Sequence, residues 1–165
     1  MRTSKPVGTP FTGESKEGID QWSYDTFCAL SGWADTLDGR WTRWDGSYLL
    51  LEIDRSGGTA IDPILIDTAD EQLRVDFGYY ETDLPEEAAD AEGAAQEAIK
   101  LVSDWLTGSI RTAVFTNDAG HWCGSMIVER GEAVPPAPSE GMLSFNPTKV
   151  ELRGPQRQLW ETYPV

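Results

Sequence analysis

The side chains best placed to do chemistry are His121, the only histidine, and Cys123, one of two cysteines. Two positions apart on a strand, they would face the same side. An imidazole beside a thiol is one way to make a thiolate nucleophile. No third group is evident to orient such a pair. The plainer reading makes Cys123 a core residue and His121 a turn residue. A structural zinc site usually takes four Cys or His ligands. This chain has three in all, Cys28, His121 and Cys123, so neither metal nor cofactor is expected. No phosphate-cradling loop, dinucleotide fingerprint or nucleophile elbow occurs.

Carboxylates are abundant. Glu52 and Asp54 share one strand face, and Glu81 and Asp83 follow the Phe77-Gly-Tyr-Tyr80 segment. Such pairs can do acid–base or hydrolytic work when a cleft raises one pKa. With 28 acidic residues in the chain, pairs also arise by chance. No catalytic residue is assigned. A small hydrolase using clustered carboxylates or Cys123 stays open as an alternative.

Charge is the stronger signal. The 165 residues carry 13 basic and 28 acidic side chains, net −15. Residues 41–110 hold Arg43, Arg55, Arg74 and Lys100 against sixteen acids, net −12; the remainder is net −3. A nucleic-acid binder needs the opposite sign to neutralise phosphates, and an anionic membrane surface is disfavoured for the same reason. A basic protein is the partner this charge would steer. Tyr79, Tyr80, Glu81, Asp83, Glu86 and Glu87 are the expected partner-binding residues, because they combine aromatic anchors with flanking carboxylates. The plainer reading is a solvated face around a helix start, where acids favour the helix dipole. A nucleic-acid mimic is a further alternative, weakened by the arginines interspersed among the acids.

These residues need elements to hold them. Residues 1–18 are polar and rich in Gly, Pro and Ser, and read as a flexible lead-in. Residues 19–165 read as a single domain. Residues 19–30 have loose helical spacing, with Gly32 as a stop. Four tryptophans, Trp22, Trp33, Trp41 and Trp44, fall within residues 22–48 and suit a core better than an interface. Residues 47–54 form a strand. Residues 59–66 pair back, with Pro63 suggesting an edge or bulge. Residues 72–79 alternate cleanly, with Leu73, Val75 and Phe77 on one face. An acidic loop follows to Gly93. Ala95, Ala98, Ile99, Val102, Trp105 and Leu106 then mark an amphipathic helix closed by Gly108. Residues 110–116 and 122–130 form a hairpin, and a last short strand lies within 144–152. The pattern predicts an α+β fold, mostly antiparallel sheet with one or two packed helices. Leu73, Val75, Phe77, Ile99, Val102, Trp105, Val114 and Ile127 are the expected core. No leader-like or spanning apolar run is seen, so a cytoplasmic location with reduced thiols is expected.

The order of these parts over residues 47–130 carries a resemblance. Leu73-Arg-Val-Asp-Phe-Gly-Tyr-Tyr80 leads through an acidic linker to Ala98-Ile-Lys-Leu-Val-Ser-Asp-Trp-Leu-Thr-Gly108. Residues 110–115 and His121-Trp-Cys-Gly-Ser-Met-Ile-Val-Glu129 follow. This resembles small cytoplasmic immunity proteins of bacterial polymorphic-toxin systems. In those, a strand ending in Phe-Gly-aromatic precedes a helix ending in Gly, and a hairpin with a Trp-Cys-Gly-like element follows. Histidines often follow the Phe-Gly-aromatic segment there; Tyr80, Glu81 and Thr82 stand in that place here. The resemblance implies inhibition of a cognate toxin by tight binding.

Overall fold

The structure, a computed structural model, describes residues 8–54, 63–87, 89–134, 136 and 146–165. Its two α-helices and two antiparallel sheets make it an α+β protein, as the alternating and helical patterns predict. No helix among the described residues is long and apolar enough to cross a membrane. By internal contacts the chain divides into two compact units. The first holds residues 1–55, 63–76 and 81–100; the second holds 56–62, 77–80 and 101–165.

The first unit opens with residues from the expected lead-in, and from Thr9 these are held in place. Arg43 N–H donates to the Thr9 carbonyl at 2.7 Å and Phe11 N–H to the Trp41 carbonyl at 2.9 Å. The Phe11 ring is buried, which gives an otherwise polar segment its anchor. Helix α1 spans Gln21–Asp35, and Asp20 caps it by accepting from Ser23 N–H at 2.8 Å. Gly32 does not stop it. The glycine sits on an open surface and costs the helix about 1 kcal/mol, which tertiary packing of Leu30 and Ala34 outweighs. Past the helix end, Gly39 N–H donates to the Ala34 carbonyl at 2.9 Å. A Cβ on Gly39 would lie 2.9 Å from Leu51 and 3.1 Å from Ala34, so helix and strand can approach only there without a side chain.

Five strands follow as a meander: β1 (Arg40–Trp44), β2 (Tyr48–Ile53), β3 (Ile64–Asp67), β4 (Leu73–Phe77) and β5 (Tyr80–Leu84), paired in chain order. Register separates the two faces. Trp41, Leu51, Ile66 and Val75 align across four strands and are all buried. The next row is Thr42, Leu50, Asp67 and Arg74, mostly polar. Shifting any strand by one residue would exchange these rows. Strand β3 is central, not an edge: it begins after Pro63, so the proline takes no position in the ladder. Residues 59–62 of the expected strand lie outside the described residues.

Helix α2 spans Ala91–Thr107. Ala91, Ala94, Ala95, Ala98, Val102 and Trp105 are buried at helical spacing, and Gly108 ends it at φ +77°. In the second unit the strands are β6 (Ile110–Thr116), β7 (Trp122–Glu129), β8 (Lys149–Arg153) and β9 (Glu161–Pro164), in the order β7-β6-β8-β9. Ala113, Phe115, Cys123, Val128, Val150 and Leu152 form one buried cluster. Of the eight expected core residues, Ile99 and Ile127 are only half-buried; the other six are buried. Among the four clustered tryptophans only Trp41 is buried, while Trp22, Trp33 and Trp44 are half-buried.

Candidate binding surface

Strand β5 was expected to be the start of an acidic loop. It is a strand because Phe77-Gly78-Tyr79-Tyr80 makes a two-residue hairpin turn. Both central residues have positive φ, 53° at Gly78 and 69° at Tyr79, the backbone that matches the twist of paired strands. Glycine is required at the first position. A Cβ there would lie 2.7 Å from the Trp105 ring, and Trp105 packs 4.8 Å from Phe77. Thr112 Oγ1 also donates to the Gly78 carbonyl at 3.1 Å. Tyr79 takes the second position, where Asn or Gly is usual. Its ring is 53% exposed, and the Arg153 guanidinium lies 4.8 Å from its centroid. Arg153 is also 4.3 Å from the Trp160 ring and is held by Glu151 at 2.6 Å.

The six expected partner-binding residues are placed as follows. Tyr79 is exposed at the hairpin tip. Tyr80 is half-buried, 5.6 Å from Phe77. Glu81 and Asp83 are exposed on β5. Strand alternation sends them to the face opposite Tyr80 and Leu84. Glu86 and Glu87 are exposed in the bend beyond β5, and Glu86 N–H donates to Glu97 Oε2 at 3.2 Å.

Pairing brings in two residues that the sequence reading did not single out. Arg74 on β4 lies opposite Asp67 on β3. Its Nε is 3.0 Å from Asp83 and 3.5 Å from Glu81. One arginine thus serves a three-strand carboxylate group. The Asp83 hydrogen bond raises the Arg74 pKa further. The Asp67 carboxyl is raised above the ordinary aspartate range, first by burial, with Asp83 and Glu81 adding repulsion. The Ala69 N–H and Arg74 oppose that shift without cancelling it. The outward position of Arg74 in an alternating strand was the only sequence signal for this group.

The other sequence candidates fall elsewhere. Cys123 is buried in the second unit's core and its Sγ donates to the main-chain carbonyl of His121 at 3.4 Å. His121 is exposed. Cys28 is exposed, and neither cysteine is in a disulfide. Glu52 is buried and pairs with Arg40 at 3.0 Å, whereas Asp54 is exposed. Among the described residues no group of three or more His, Cys, Asp or Glu side chains could hold a metal ion.

Beside β1 the first unit carries an open groove of about 840 Å³, within the usual range for ligand sites. Phe11, Phe27 and Trp41 give it aromatic walls, with Phe27 4.9 Å from Phe11 and 5.1 Å from Trp41, both edge-to-face. Asp35 and the Arg40–Glu52 pair supply its charge. Compared with protein-family models, curated proteins and solved structures, the chain matches none.

Proposed function

We propose that this protein acts by binding a basic protein partner, in the manner of an immunity protein that neutralises a cognate toxin. The observation that carries the reading is the carboxylate group around Arg74. Glu81 and Asp83 pair with one guanidinium and Asp67 lies opposite Arg74 on the neighbouring strand, and burial and repulsion disfavour the Asp67 charge. A cation delivered by a partner would relieve that repulsion, so association gains where the isolated protein pays. Glu86 and Glu87 extend the negative field and would steer encounter. Tyr79 supplies a large exposed ring with a hydrogen-bonding tip, suited to an interface. The resemblance over residues 47–130 to immunity proteins points the same way.

The test has two stages. Tagged protein is used to capture partners from its native host, and binding kinetics are then measured at low and high salt. Glu86→Lys with Glu87→Lys should slow association at least several-fold at low salt, and the effect should fade as salt screens it. An association rate untouched by the double reversal would remove this surface from the interface.

A further inference from the structure

We propose that the groove beside β1 receives an arginine side chain of the basic partner. The identity of the occupant rests on the reading above; the groove's preference for a guanidinium does not. Asp35 is the last residue of α1, a helix with no basic residue in its last turn. The exposed carboxylate therefore adds to the negative end of the helix dipole instead of offsetting it. Among the described residues Asp35 takes part in no ion pair. Glu52 sets a second, buried carboxylate in the groove lining, where it pairs with the exposed Arg40.

The walls suit the same chemistry. Phe11, Phe27 and Trp41 line a site about 840 Å³ in size, Phe27 half-buried and the other two buried, and an aromatic face attracts a guanidinium at about 6 Å or less. One groove ring already has such a neighbour: the Arg43 guanidinium lies 5.6 Å from the Phe11 centroid. A planar cation with an aliphatic stem can lie against Phe27 and direct its fork at Asp35, which a compact ammonium cannot do as well. An arginine seated in a pocket is also a common centre of binding energy.

The probe is N-acetyl-arginine amide, with N-acetyl-citrulline amide as its neutral isostere, titrated into the full chain and followed by NMR of the Trp41 indole and the Ser31 and Gly39 amides. Arginine should shift these signals and bind at least five-fold more tightly than citrulline. Asp35→Asn, an exposed change that should leave the amide spectrum otherwise intact, should remove that preference. Equal binding of the two probes, shifts confined to β3–β5 or Glu86 and Glu87, or no shift at all would each overturn the proposal. The experiment needs no partner, so its failure is separable from a failure of the captured partner to respond to Glu86→Lys and Glu87→Lys. If the probe result holds, Asp35→Asn should speed dissociation of the captured partner at least five-fold; an unchanged rate would remove the partner's arginine as the occupant.

Discussion

The two units use the same antiparallel pairing and end with opposite surfaces. The first has 8 basic and 20 acidic residues, net −12; the second has 5 and 8, net −3. Among the described residues, all the exposed large apolar side chains, Tyr79, Trp122, Leu159, Tyr163 and Val165, belong to the second. Among its described residues the first leaves large apolar side chains buried or half-buried and shows carboxylates. The period-two alternation common to both sets which face is polar; what the polar face carries is a separate choice. Charge acts at a distance of about a Debye length, roughly 8 Å at physiological salt, while exposed rings act only on contact. A binding protein that divides these roles would show them as different responses to substitution.

Core truncations should have the largest effects. Phe115→Ala in the second unit's buried cluster and Trp105→Ala beside Phe77 should each cost about 3–5 kcal/mol, read from denaturant midpoints. Leu51→Ala does the same in the first unit, at about 2–5 kcal/mol. Hydrogen exchange on these variants sharpens the comparison. If the units open separately, Phe115→Ala should lower protection in β6–β9 and leave β1–β3 unchanged. Uniform loss would mean that they unfold as one.

Gly78→Ala should cost about 1–3 kcal/mol, because the new methyl meets the Trp105 ring and the backbone stays at φ 53°. A wild-type melting temperature would show that this turn relaxes freely. Tyr79→Gly is smaller on stability. It removes about 1–2 kcal/mol of left-handed strain and gives up about 0.5–1 kcal/mol of Arg153 contact. The net change should be slight, whereas dissociation of a bound partner should quicken. A clear loss of stability would make Tyr79 a structural residue.

The smallest effect belongs to Asp67→Asn. A carboxyl whose pKa is raised by folding holds its proton more tightly in the native state. Stability therefore falls as pH rises from the ordinary aspartate range through the raised value. The asparagine variant should lack that segment of the pH–stability curve. It should be slightly more stable than the parent at neutral pH and should bind a basic partner less well. Superimposable curves for variant and parent would show that Asp67 is not held in this way.

Alternation in Leu73, Val75 and Phe77, and the helical spacing from Ala95 to Leu106, were enough to place β4 and α2, because burial of one face is a local rule. The Asp and Glu excess was equally plain. Strand β5 was not legible. Its residues Tyr80, Glu81, Thr82, Asp83 and Leu84 read as an acidic loop, and they pair only because the Gly78-Tyr79 turn returns the chain along β4. The division of the nine strands among the described residues into two sheets was hidden for the same reason, since neighbours in a sheet are chosen by contacts distant in sequence. Composition decided that this chain would be acidic. Register decided that Arg74 would lie opposite Asp67 and pair with Glu81 and Asp83, and helix packing against β1 and β2 decided that Asp35 and Glu52 would share one groove. No spacing rule connects those residues; the pairing of strands does.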